Sequence, residues 1–105
     1  MAGSASEIQL NYARAIEQAE TLTEIAQNMR NKAGQDLEEC LADIAGIWKS
    51  ENAAAYFKKG EIIKEEILQN ANQIEKAAEM IRQIAAKMRD AELAALKTAE
   101  TREYA

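Results

Sequence analysis

Few side chains in this 105-residue chain are able to do covalent or acid–base chemistry: a single cysteine, Cys40, and eighteen carboxylates, with no histidine. Nucleophile–histidine pairs, Cys/His zinc sites and the Glu-x-x-His motif of di-iron bundles are therefore all excluded within the chain. One cysteine forms no intramolecular disulfide. Cys40 falls on an apolar helical face and reads as a small buried thiol, not a reactive one. The neighbouring carboxylates Glu38/Glu39 and Glu65/Glu66 have the composition of an acid–base or metal site. Glutamate recurs on nearly every turn, however, and never on the apolar seams, which is the pattern of a solvated helix face. The chain reads as non-enzymatic, with no cofactor and no metal.

Charge narrows the partners. Thirteen basic and eighteen acidic side chains give −5, the wrong sign for binding nucleic acid or an anionic membrane. Residues 1–50 hold four basic and eight acidic groups, and residues 51–105 hold nine and ten, so the first half is the more acidic surface. Lys58 and Lys59 are too short a basic run to contact nucleic acid. No apolar run approaches membrane-spanning length, and the N-terminus lacks the basic and apolar regions of a cleavable signal peptide. If the protein leaves the cell, another signal must be read.

The elements that position these groups are helical. The chain has no proline and is rich in alanine and glutamate, a composition of long helices and coiled coils. Met1 to Ser6 reads as a small-residue tail in which Ser4 or Ser6 caps the first helix. Then comes the series Ile8, Tyr12, Ala15, Ala19, Leu22, Ala26, Met29, Ala33, with steps alternating four and three, a heptad seam. A second step of four leads to Leu37, Cys40, Ile44 and Ile47. Two fours in succession are a stutter, and Gly34 lies at that point. One continuous helix is the favoured reading there, with a break at Asn31–Gly34 as its rival.

The second series never slips: Gly60, Ile63, Ile67, Asn70, Ile74, Ala77, Ile81, Ile84, Met88, Ala91, Ala95, Thr98. Asn70 is the polar residue at its centre and reads as a register-setting asparagine, with ligand contact as the alternative. Ala71, Ala78 and Ala85 widen the stripe with small residues and are expected to face another chain. Helix one is expected over about 6–46, the turn over about 47–50 and helix two over about 51–102, a single domain. At 1.5 Å per residue the arms would measure roughly 60–75 Å. The fold class is all-α, an antiparallel helical hairpin expected to dimerise into a four-helix bundle, because two helices alone bury little.

The turn holds the chain's sole tryptophan and sole phenylalanine, in "AGIWKSENAAAYFKKGE". Gly46 loosens the end of helix one, and Ser50 is a suitable N-cap with Glu51 in the first turn of helix two. Trp48 is either a plug over Phe57 at the end of the bundle or a side chain placed to be touched.

These residues resemble the WXG family, the ESAT-like hairpins of type VII secretion. The likeness covers almost the whole chain. It rests on length, two long helices, a Trp-Xaa-Gly-like tripeptide at Trp48, Lys49 and Ser50, the adjoining "ENAAAYFKKGE" with Tyr56, Phe57 and Gly60, and the closing "RDAELAALKTAETREY". Ser50 stands where the family has glycine. Tyr104 is followed only by Ala105, so the family's Tyr-x-x-x-Asp/Glu export signal is not completed. The resemblance implies a secreted or pre-export cytoplasmic protein. It implies a homodimer or a heterodimer with another small hairpin, in which one subunit's turn lies beside its partner's C-terminal tail. A larger type VII toxin and the secretion ATPase are further implied partners, with no nucleic acid and no membrane insertion. A cytoplasmic coiled-coil adaptor unrelated to secretion is the competing class.

Overall fold

A computed structural model describes residues 4–104, and the chain forms an all-α helical hairpin. Met1 to Gly3 of the expected tail, Ala105 and the Tyr104 side chain lie outside the described residues. The elements are α1 (Ala5–Asn28), a π-helical segment (Met29–Gly34), α2 (Gln35–Ile47) and α3 (Glu51–Tyr104). Ser4 starts α1: its Oγ accepts the Glu7 N–H at 3.3 Å and its carbonyl accepts that of Ile8 at 3.1 Å. These bonds satisfy donors that a helix start otherwise leaves open.

The π segment falls where the apolar series takes its two steps of four. Asn28, Gly34 and Gln35 all have right-handed helical backbone, so the chain passes Asn31–Gly34 without a break. A π turn holds about one residue more than an α turn and therefore changes the phase of the helix beyond it. Up to Ala26 the inward residues are those of the heptad series, with Ile8, Ala19 and Ala26 buried. Beyond the segment Leu37 alone of the series stays inward, and Gly34 and Leu41 turn inward in place of Ala33 and Cys40. Gly34 is buried, Leu37 and Leu41 are half-buried, and Ala33, Cys40, Ile44 and Ile47 face outward. Cys40, expected to be buried, is exposed for this reason.

The chain divides into two compact units, residues up to Thr21 with those from Ala77 onward, and Leu22–Lys76. In the first, Ile8, Ala19, Ala78 and Ala85 are buried. Arg82 spans from α3 to Glu20 on α1 at 3.2 Å, and the Arg89 guanidinium lies 4.2 Å from the centre of the Tyr12 ring. In the second, Ala26, Gly34, Ala53, Gly60 and Ala71 are buried. Arg30 Nη2, in the π segment, donates to Asn72 Oδ1 and Glu75 Oε2, both at 2.6 Å, while Lys64 reaches Glu38 at 3.4 Å.

Burial corrects one expectation. Ala71, Ala78 and Ala85, expected to face a second chain, are 0%, 0% and 8% exposed inside the hairpin. Ile63, Asn70, Ala77, Ile84 and Met88 are exposed instead. The inward face of α3 keeps Gly60, Ile67, Ile74 and Ile81 of the hydropathy series but takes Ala71 for Asn70, Ala78 for Ala77 and Ala85 for Ile84. One residue is a rotation of about 100°. Small side chains allow two backbones to come together along their length, and many weak dispersion contacts then accumulate. Isoleucines at these three places would hold the helices apart. The resulting core is thin, since each buried alanine methyl contributes only on the order of 0.8 kcal/mol.

Candidate partner-binding surface

The turn is built by two hydrogen-bonded ends. Trp48 leaves helical geometry for extended backbone (φ −108°, ψ 110°), while its N–H still donates to the Ile44 carbonyl at 2.8 Å. Ser50 then caps α3, its Oγ accepting the Ala53 N–H at 3.2 Å and its carbonyl that of Ala54 at 3.2 Å. With Ser50 occupied in this way, and Glu51 in the first turn, the helix start is both capped and charge-matched. Lys49 is exposed between the two ends.

The surface presented by this geometry is apolar. Ile47 is 76% exposed and Trp48 66%, and together with Ile44 they line a shallow depression on the surface. Tyr56 is 70% exposed, with the Lys59 ammonium 5.6 Å from its ring centre. Phe57 has a different role: it is half-buried and shares a groove with Leu41, Ala42 and Ala45. Within the hairpin Trp48 does not lie buried over Phe57: Phe57 is half-buried, and Trp48 is exposed.

The other candidate residues separate in the same way. Gly60 is buried, with Leu41 packed against its Cα. Asn70 is exposed on α3 and sets no register inside the hairpin. Heptad spacing assigns Ile44 and Ile47 to the core, so sequence reasoning misses them as surface residues; the doubled step of four is the one sign of a phase change.

Electrostatics adds little to the turn. Burial alone would lower the pKa of Lys64, but hydrogen bonding to Glu61 and the charges of Glu38 and Glu61 offset it and hold the ammonium above the ordinary lysine value. A hydrogen bond to Asp90 likewise raises Arg89, against the effect of burial. Among the described residues no three Cys, Asp or Glu side chains are grouped to hold a metal ion, and no helix is long and apolar enough to cross a membrane.

Fold and surface together define a helical hairpin with an apolar, solvent-facing turn. No family model matches the chain, and neither a curated protein nor a solved structure does.

Proposed function

We propose that the protein is a non-enzymatic type VII (ESX-like) secretion substrate or export partner that acts through helix–helix binding. The observation that carries this reading is the exposure of Ile47, Trp48 and Tyr56 at a well-capped turn. Large apolar side chains gathered on a surface mark a contact site more often than they serve the fold. The resemblance of the turn residues to the WXG family supplies the secretion class. The partner is a second small hairpin, of the same or another chain, with a larger toxin and the secretion ATPase as later contacts. Self-association into a four-helix bundle would use exposed residues of α3, such as Ile84 and Met88, because the alanine line is already covered.

The test is export from cells carrying a complete type VII machine and a gene for a second small hairpin. Trp48→Ala is expected to reduce the protein in the medium severalfold while leaving its melting temperature within about 2 °C, as for a surface substitution. Retention of the wild-type chain in such cells would overturn the secretion reading and leave that of a cytoplasmic adaptor.

A further inference from the structure

Leu41 turns α2 toward α3, where it packs against Gly60. On the side of α2 left to solvent, Asp36, Cys40, Asp43 and Ile47 follow one another at steps of four, three and four, one line along the helix. Ile44 stands on one side of that line and Glu39 on the other, and all six are exposed. α2 holds four carboxylates, Asp36, Glu38, Glu39 and Asp43, and no basic residue. Glu38 meets Lys64 at 3.4 Å, while the other three have no ion-pair partner among the described residues. The basic residues at this end of the chain, Lys49, Lys58 and Lys59, belong to the turn and to α3.

We propose that the outer face of α2 docks a basic amphipathic helix of another protein. The apolar side of that helix lies on Cys40, Ile44 and Ile47, and its lysine or arginine side chains meet Asp36, Glu39 and Asp43. α2 is about 20 Å long, which gives such a helix three to four turns of contact through residues at i, i+3, i+4 and i+7. Charge selects this occupant. The same face of a second copy would set carboxylate against carboxylate, which an interface rejects, and an anionic membrane is repelled for the same reason. Self-association through the exposed Ile84 and Met88 of α3 leaves α2 uncovered. The inference rests on the turn being a contact site, as proposed above, but not on secretion: a chain that is never exported still binds the helix.

The probe is a designed leucine–lysine helix of about 18 residues, with a leucine–glutamate helix of the same apolar pattern as its counterpart. Binding to the full chain is measured by calorimetry at about 0.15 M salt, and its place by the alkylation rate of the exposed Cys40. The lysine helix is expected to bind about tenfold or more tightly than the glutamate helix and to slow alkylation severalfold. Asp36→Asn/Glu39→Gln/Asp43→Asn is expected to weaken the lysine helix about tenfold, and Ile44→Ser/Ile47→Ser to weaken it as much. Glu17→Gln/Glu24→Gln/Glu100→Gln removes the same charge from exposed positions of α1 and α3, and should change binding by less than about twofold. Equal binding of the two helices, an unprotected Cys40, or the same loss in this control as in the α2 charge variant overturns the proposal. So does self-association of the wild type that the α2 charge variant weakens, which would give the face to a second copy.

Discussion

The Cδ2 carbon of Leu41 lies 2.5 Å from the point that a Cβ on Gly60 would occupy, and its Cδ1 lies 2.8 Å away. No real Cβ approaches another carbon so closely. Glycine at position 60 serves packing and not backbone conformation, since no described residue has a positive φ and a Cβ would make Leu41 shift. Gly60→Ala thus sets a gain in helix propensity of about 1 kcal/mol against overpacking of about 1–3 kcal/mol. A net loss of about 1 kcal/mol is expected in denaturant unfolding. In a Leu41→Ala background the same change should stabilise by about 1 kcal/mol. Equal effects in both backgrounds would show that Leu41 moves aside freely.

Gly34 is also buried, but its surroundings differ. It has right-handed helical backbone (φ −67°, ψ −51°), and a Cβ there would meet Leu68 Cδ2 at 3.5 Å, an ordinary contact. Gly34→Ala is expected to raise stability by about 0.5–1 kcal/mol, mainly by restricting the unfolded chain. A lower midpoint in urea would mean that the π segment itself needs glycine.

These two glycines mark the boundary between the legible and the hidden parts of the sequence. The helical class is legible in the absence of proline and the persistent three-and-four spacing, and the hairpin in two such series separated by a short capped link. In α1 the inward line is legible through Ala26, because small and apolar residues share one face there. In α3 two faces compete: isoleucine carries the hydropathy, but alanine and glycine allow close approach. Periodicity finds Gly60, Ile67, Ile74 and Ile81, which do turn inward, but it passes over Ala71, Ala78 and Ala85, which packing buries. The doubled step before Leu37 signals a phase change without saying whether a break or a π turn absorbs it. Trp48 stands out in the sequence, yet its exposure depends on the phase of α2, which only the structure supplies.

Arg30 is the side chain of the π segment that reaches across to α3, with one nitrogen shared between Asn72 and Glu75. Its side chain is 27% exposed and that of Glu75 45%, so solvent weakens the ion pair. Arg30→Ala is expected to lower stability by about 1 kcal/mol, with the loss shrinking in high salt as the ionic part is screened. Thermal unfolding at two ionic strengths measures this. A loss that ignores salt would assign the effect to the Asn72 bond and to packing alone.

Lys64 makes stability depend on pH at the alkaline end. Burial opposes its charge, but Glu61 and Glu38 prevail and raise its folded pKa above the ordinary 10.5. A raised lysine contributes fully while both states are protonated, below that value, and the contribution is lost as pH rises through the folded pKa. The stability difference between the wild type and Lys64→Gln should therefore be steady at neutral pH and decline above 10.5. A difference that grows with alkalinity contradicts the assigned direction.

Adjacent residues on α3 should respond in opposite ways to larger apolar side chains. Ala71 is fully buried in the hairpin, whereas Asn70 is exposed beside it. Ala71→Leu is expected to destabilise by about 1–3 kcal/mol at every protein concentration, because it forces the two helices apart. Asn70→Ile falls on an exposed position and should leave the stability of the isolated chain within about 0.5 kcal/mol. It adds an apolar side chain to the exposed side of α3, which already carries Ile63 and Ile84, so its effect falls on association. Sedimentation is expected to show tighter self-association for Asn70→Ile, and its melting temperature should rise with protein concentration more steeply than that of the wild type. A gain in stability that is independent of concentration would instead place Asn70 against the chain's own helices, and the inward line on α3 would have to be redrawn through it.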